Sequence, residues 1–588
     1  MRKVADLNLV DSDKDSFSLK SFLPILEWLP KYRSDDFVQD LIAGLIVSVV
    51  YVPQVMAYAM LAGLPPYIGL YASLLPLIIY AIFGTSRTLS VGPVAIVSLL
   101  TFSSASAFAE PGSNEFISIA ITLALLTGII QILMGLLRLG FLTNFLSHPV
   151  LVGFTASAGL IIAFSQIKHL FGVKLPETKY PYELIFQTIL HIPNSNLATT
   201  AIGALSILIL LYSQIYGKKT LVKLGLSDFS AEAFSKLGPL IAVLTTTLLV
   251  WGIELDKKWG VKVIGEIPAG LPPLTIPEID LAKATSLIMA ATVISLVGFM
   301  ESNAIATALA NRRRQKIDPN QELIALGAAN LGVSFTSGYP VAGGLARTVV
   351  NFNAGAKTPL SSIITFMSVA IVLLFFTPLF YYLPQATLAS IVVVAVAKLF
   401  DLKAIKRIWE YSKADGTSIL ATLFGVLIFD VEIGILIGLA TSILLFLYRT
   451  SKPHVAIVGR VGNTEQFRNV LRHRVKTCPE TLAIRIDESL YFANTKELER
   501  CIMSKVADNP EIRNVVLICS AVNFIDASAL ETLEKIIDEL RSAGINFYLS
   551  EVKGPVMDRL EKIGFVERFG REKIFLSTHQ AMEFLGCK

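Results

Sequence analysis

Fourteen apolar stretches follow one another through the first 450 residues, at about 41–60, 67–83, 92–108, 116–137, 149–166, 198–215, 237–253, 284–310, 321–336, 341–353, 359–377, 385–399, 416–430 and 432–448. This repetition constrains the chain more than any single motif. Inside a bilayer every backbone N–H and C=O must be bonded within the protein, so a run of such stretches folds as a helical bundle. Several of the fourteen fall short of the ~20 residues that a full helical crossing needs. Charge divides the chain at the same place. Residues 451–588 hold 39 Lys, Arg, Asp and Glu, about 28%, whereas the 450 residues before them hold 58, about 13%. An ordinary soluble domain carries roughly 25%. The expected architecture is an all-α polytopic membrane domain over 37–450, preceded by a cytoplasmic segment, 1–36, and followed by a cytosolic linker and α/β domain over 451–588.

Basic residues follow the even-numbered stretches: Arg87, Arg138, Lys218 and Lys219, Arg312 to Arg314, Lys357, then Lys403, Lys406 and Arg407, and lastly Arg449. By the positive-inside rule these loops face the cytoplasm, which gives an even number of crossings with both termini cytoplasmic in a plasma or bacterial inner membrane. The first 30 residues mix acids and bases and contain Pro24 and Pro30, so no cleavable signal peptide is expected. A wholly soluble enzyme, a secreted disulfide scaffold and a single-anchor receptor are excluded. The net charge of +5 implies no nucleic-acid partner. Cys478, Cys501, Cys519 and Cys587 lie in the soluble tail without metal-ligand spacing and are expected as reduced thiols. No nucleophile–base pair or metal spacing is present, so no enzyme activity, cofactor or metal is expected.

Two stretches open unusually. Ser90-Val91-Gly92-Pro93-Val94-Ala95 starts the third, and Gly338-Tyr339-Pro340-Val341-Ala342 starts the tenth. Gly followed by Pro is helix-start grammar, and both helices are short enough to begin partway through the bilayer. Pro93 and Pro340 stand 247 residues apart, half-way round the array. Two seven-helix halves in opposite orientation bring these openings face to face near the midplane. Each helix start exposes unpaired N–H groups and the positive end of its dipole, so the pair forms an anion site. The tenth stretch adds Arg347, about two turns in from Pro340, whose planar fork suits an oxyanion. The competing readings are two ordinary helix starts at a membrane surface and an Arg347 that snorkels to lipid headgroups.

Glu301 in the eighth stretch is the one acid read as lying well inside an apolar span; Gln54 and Tyr58, at i, i+4, share a face of the first. Glu301 and Gln54 are again 247 residues apart and occupy equivalent places if the halves repeat. A buried carboxyl near a guanidinium can load and release a proton. The plain alternative is a static Glu301–Arg347 ion pair holding two helices together.

The segments Val52 to Tyr71, Ile82 to Pro93, Glu301-Ser302 and Asn351 to Thr358 resemble the signatures of the sulfate permease (SulP) family. The resemblance covers essentially the whole chain. It implies a 7+7 inverted repeat of 14 transmembrane segments, divided into a core and a gate that move elevator-fashion, usually as a homodimer. It also implies an anion site lined by Gln54, Tyr58, Val94, Ala95, Ala346 and Arg347, with Glu301 matching the acid linked to proton coupling in plant sulfate transporters. Ala346 stands where Ser is common, so one hydroxyl contact is missing. The tail is similar to a STAS domain, a fold that recruits regulatory proteins. Thr481–Ile486, Asn514–Cys519 and Ile545–Leu549 read as strands, with helices over Thr495–Val506, Ser528–Leu540 and Gly554–Ile563. In the loop where STAS antagonists are phosphorylated the acceptor position holds Ala527, followed by Ser528; Asp526 or Ser528 is expected to cap the next helix.

The expected function is secondary active transport of an inorganic anion with a proton through the lipid bilayer, sulfate leading. Bicarbonate or another monovalent anion is the alternative. A nucleobase–proton symporter, a STAS signalling scaffold on a membrane anchor and a membrane enzyme rank below these.

Overall fold

Each of the fourteen apolar stretches carries a helix. The computed structural model describes residues 22–144, 147–176, 178, 180–225, 227, 231, 235–277 and 280–587; the first 21 residues of the expected lead-in lie outside that set. In chain order the helices are α1 Ser34–Leu61, α2 Pro66–Phe83, α3 Ala95–Ser106, α4 Asn114–Leu136, α5 His148–Leu170, α6 Leu197–Tyr212 and α7 Gly238–Ile253. They continue with α8 Leu281–Arg312, α9 Pro319–Ser334, α10 Leu345–Asn353, α11 Leu360–Ile371, α12 Gln385–Val396, α13 Lys413–Ile428 and α14 Val431–Ser451. Among the described residues, eight helical segments are long and apolar enough to cross a membrane; α3, α7 and α12 are shorter apolar helices. The chain divides into two compact units, Met1–Ala440 and Thr441–Lys588.

In the first unit α1 to α4 pack with α8 to α11, while α5 to α7 pack with α12 and α13. Apolar burial offers little between helices already in lipid, so close backbone approach carries the association. Gly128 of α4 and Gly327 of α9 show it. A Cβ at Gly128 would stand 2.9 Å from the Gly327 carbonyl oxygen, and one at Gly327 2.8 Å from that of Gly128. Buried carboxylates are fixed by convergent donors. Glu322 accepts from the Tyr80 hydroxyl at 2.7 Å and from the Thr85 N–H and hydroxyl at 2.8 and 2.6 Å. Asp40 accepts from the Lys357 and Thr358 N–H groups at 2.6 and 3.1 Å and from the Thr358 hydroxyl at 2.6 Å. Both carboxylates staple loops to helices. Glu322 belongs to the ninth stretch, so Glu301 is not the one acid buried in this bundle.

Between α2 and α3 lies β1, Val91–Gly92, and between α9 and α10 lies β2, Ala342–Gly343. They pair antiparallel, Val91 opposite Gly343 and Gly92 opposite Ala342. Two such residues cannot satisfy their own backbone, so side chains complete it, as non-helical backbone deep in a bundle requires. Asn330 of α9 donates Nδ2 to the Val341 carbonyl at 3.0 Å and accepts from the Val341 N–H at 2.8 Å. Ser302 Oγ accepts from the Gly343 N–H at 2.7 Å, and Thr348 Oγ1 from the Ser90 N–H at 3.1 Å. The Gly344 N–H reaches the Ser90 carbonyl at 3.0 Å.

The second unit holds a six-stranded sheet formed by β3 Val455–Arg460, β4 Phe467–Asn469, β5 Thr481–Ile486, β6 Asn514–Ile518, β7 Asn546–Ser550 and β8 Ile574–Phe575. The order is β4-β3-β5-β6-β7-β8; β5 to β8 run parallel, and β3 is antiparallel to both its neighbours. Helices α15 Thr495–Asp508, α16 Ala527–Ser542, α17 Gly554–Lys562, α18 Phe565–Phe569 and α19 Thr578–Phe584 complete it. The three strands and three helices read from sequence are all present. Asp526, not Ser528, caps α16: its Oδ1 accepts from the Ala529 N–H at 2.8 Å and its Oδ2 from the Phe492 N–H at 2.9 Å.

The reduced-thiol expectation fails for two cysteines. Cys478 and Cys587 form a disulfide across 109 residues of sequence, a pairing that spacing along the chain cannot reveal. Cys501 and Cys519 are free. Burial pushes the Cys519 thiol up to about 12, which suppresses the reactive thiolate. A maleimide added to the native, unreduced protein is expected to modify Cys501 alone, with two further adducts only after reduction, as intact-mass measurement reads directly. Four adducts without reduction would contradict the pairing.

Candidate functional site

The two helix starts meet, though not as the sequence suggests. Pro93 and Pro340 are expected in first helical turns, yet the backbone stays extended after each. Helix α3 begins at Ala95 and α10 at Leu345, behind the paired strands. The paired openings are the cause: β1 and β2 bond to each other before either helix can start. Neither start has a side-chain cap, since the N-cap residues are Val94 and Gly344. Their first-turn N–H groups therefore keep their donor capacity.

The later start also moves Arg347. It is not two turns into α10 but the third residue of the helix, in the first turn. A cation there opposes the positive end of the helix dipole. Its side chain is nevertheless the largest fully buried one among the described residues, 1% exposed, which rules out snorkelling. Nη1 donates to the Pro93 carbonyl at 2.7 Å, and the guanidinium carbon lies 4.6 Å from the Tyr51 ring centroid. Nε and Nη2 are buried without a hydrogen-bond partner. Two charged donors are left unanswered.

The neighbours are polar and fixed. Tyr51 donates its hydroxyl to the Val91 carbonyl at 2.9 Å; Gln54 donates Nε2 to the Tyr58 hydroxyl at 2.9 Å, leaving its own Oε1 unpartnered. Ser98 and Tyr339 share a hydroxyl–hydroxyl bond of 3.1 Å that ties α3 to the opposite opening. Val94 and Ala95 are buried beside Pro93, whereas Ala346 is exposed. Glu301 and Gln54 each stand twenty residues after the first residue of their helix. The static ion pair is not formed: Glu301 Oε2 has no hydrogen-bond partner, although the carboxylate lies within electrostatic reach of Arg347 and Tyr58. Ser302, next to it, holds β2 and donates to the Gly298 carbonyl at 2.6 Å. The structure thus gathers Gln54, Tyr58, Val94, Ala95, Glu301 and Arg347 around the strand crossing.

Sequence reasoning missed Tyr51, Ser98, Asn330 and Tyr339. Each is a polar side chain in an apolar surrounding, a pattern that marks a crossing point only once its partner is known. Among the described residues, no three His, Cys, Asp or Glu side chains converge on a metal position. What the arrangement offers is an uncompensated cation flanked by free N–H donors, the chemistry of oxyanion binding.

Gly344 makes room for it. A Cβ there would stand 2.7 Å from Arg347 Nη2 and 2.8 Å from Cζ, so alanine must displace the guanidinium rather than the backbone. Gly344→Ala is expected to fold normally and to bind a tetrahedral oxyanion at least ~10-fold more weakly, about the worth of one charge-assisted hydrogen bond; equilibrium binding to purified protein measures it.

The sulfate permease family profile matches residues 37–422, and the STAS domain profile matches 473–581. The probable sulfate transporter 4.2 of Arabidopsis thaliana is 35% identical over 577 residues, covering 96% of this chain and 84% of that protein. The high affinity sulfate transporter 2 of Stylosanthes hamata is 33% identical, covering 98% and 88%. Among solved structures, the murine solute carrier 26 family member A9 anion transporter in the inward-facing state superposes with a TM-score of 0.87 at 25% identity, covering 100% of this chain and 97% of that one.

Proposed function

Because this chain belongs to the sulfate permease family of anion transporters, we propose that it carries sulfate together with a proton, as a symporter working by an elevator-type mechanism. One observation carries the reading: a fully buried guanidinium on the first turn of α10, opposite the start of α3, with two donors unpartnered. Burying an unpaired charge is costly, and a bound oxyanion removes the cost. Sulfate accepts from Arg347 Nε and Nη2 and from the free N–H groups of both helix starts. Gln54, Tyr58, Val94 and Ala95 line it, and Ala346 stands at its exposed side, next to Arg347 in the first turn of α10.

Glu301 carries the proton. A dianion facing one fixed cation is opposed by an ionised carboxylate, so protonation favours loading and deprotonation favours release. The fourteen helices act as fourteen crossings in a 7+7 inverted repeat with both termini cytoplasmic. The set α1 to α4 with α8 to α11 is the moving core, and the remaining helices are the gate of a homodimer. Sulfate as the cargo is supported by the plant relatives, which are named as sulfate transporters. Ala346 supports a second reading. Its methyl group offers no hydroxyl, so one contact that would favour a dianion over bicarbonate or chloride is absent.

Radiolabelled sulfate uptake into proteoliposomes, with and without an inward proton gradient, tests the proposal. Gradient-driven accumulation that excess bicarbonate and chloride leave intact is the expected result. Uptake indifferent to the gradient would overturn proton coupling, and suppression by bicarbonate would favour the second reading.

A further inference from the structure

A second gathering of positive charge lies away from the strand crossing. Lys31, Arg87, Arg313 and Lys357 line one cavity of about 290 Å³, together with Trp28, Gln315, Thr358 and a single carboxylate, Asp36. Four separated parts of the chain supply the cations, so the cluster is made by the fold and not by a local basic run. Arg313 is held in place: Nη2 donates to the Phe352 carbonyl at 3.0 Å, Nη1 donates to the Ala356 carbonyl, and the guanidinium stacks 4.1 Å from the Phe352 ring centroid. Lys31, Arg87 and Lys357 have no salt-bridge partner among the described residues. The one carboxylate buried close by, Asp40, is already engaged by the Lys357 and Thr358 backbone and the Thr358 hydroxyl.

Like charges do not converge without cost unless something of opposite sign joins them. We propose that this cavity binds a phosphoryl- or sulfate-type oxyanion of at least two charges, at a site separate from the one that holds the transported anion. Arg313 presents a fixed guanidinium, Gln315 supplies a polar contact, and the flexible stems of Lys31 and Lys357 close on the ligand. The oxyanion has two sources, a dissolved inorganic ion or the headgroup of an anionic lipid. The lipid source accounts for a further observation. Leu26, Leu29, Phe37 and Val38, on the segments flanking Lys31, are exposed apolar side chains, as a chain lying at the lipid surface requires.

Trp28 lines the cavity and reports on it, with Trp28→Phe subtracting the other tryptophans. Two arms separate the sources: purified protein in detergent titrated with inorganic phosphate, and protein in phosphatidylcholine nanodiscs with or without phosphatidic acid. A saturable Trp28 response to phosphate in detergent identifies a dissolved oxyanion. A response confined to phosphatidic acid nanodiscs identifies a headgroup. In either case the response persists in Arg347→Ala, and the Arg87→Gln/Lys357→Gln double variant weakens it about 25-fold, the loss expected for two surface cations at roughly fivefold each. If that variant fails to fold, Lys31→Gln/Lys357→Gln alters exposed side chains only. No response in either arm, or an undiminished response in a folded double variant, overturns the proposal.

Discussion

Replacing Arg347 with alanine is expected to lower sulfate affinity by about 10² to 10⁴ while leaving a folded, membrane-inserted protein. The magnitude follows from the two donors that nothing else in the structure occupies, Nε and Nη2. Each hydrogen bond to a charged group is worth roughly 1.5–3 kcal/mol, so two give about 3–6 kcal/mol. Folding is expected to survive because the loss and the gain offset each other. The Pro93 carbonyl forfeits its 2.7 Å donor, but an unpaired cation leaves the first turn of a helix, where the dipole disfavours it. Arg347→Lys is expected to recover only part of the affinity, because a point charge cannot reproduce the planar fork. Equilibrium binding and a thermal melt on each variant decide. An Arg347→Ala protein that melts normally and binds sulfate within threefold of the parent chain would remove the guanidinium from the site.

Glu301→Gln gives the other large effect, and it separates coupling from binding. The substitution keeps the shape and hydrogen-bonding capacity of the side chain but removes its titration. A gradient of one pH unit supplies ~1.4 kcal/mol per proton, which supports about tenfold accumulation of sulfate if one proton travels with it and the membrane potential is clamped at zero. The parent chain is expected to reach that level in proteoliposomes. Glu301→Gln is expected to equilibrate sulfate without accumulating it, while sulfate–sulfate counterflow continues, since an uncharged side chain no longer opposes the dianion. Equal gradient-driven accumulation in both proteins would leave Glu301 with no coupling role. Loss of counterflow as well as accumulation would make it part of the binding surface.

Hydropathy revealed the helices because membrane burial acts on every residue of a stretch, and all fourteen stretches are helical. Arg347, Glu301, Gln54 and Tyr58 were visible for the converse reason: a polar side chain in an apolar run demands a partner or a purpose. What could not be read depends on pairing at a distance. Strands β1 and β2 are two residues each, too short for any alternation, and they exist because each completes the other. That pairing postpones α10 to Leu345 and moves Arg347 into its first turn. Glu322 was missed because it stands beside the first residues of its stretch, where an acid is unremarkable; its partners are Tyr80, near the end of α2, and Thr85, in the loop that follows, both far away in sequence. In the second unit β4 spans three residues and β8 two, and they enter the sheet only through neighbours already in place.

Selenate has the charge and tetrahedral shape of sulfate, and its selenium scatters anomalously. A structure of the protein with selenate bound is expected to show an anomalous peak at the β1–β2 crossing, with oxygens in hydrogen-bond range of Arg347 Nε and Nη2 and of the N–H groups that begin α3 and α10. A peak elsewhere in the membrane domain, with Arg347 still holding only the Pro93 carbonyl, would contradict the account.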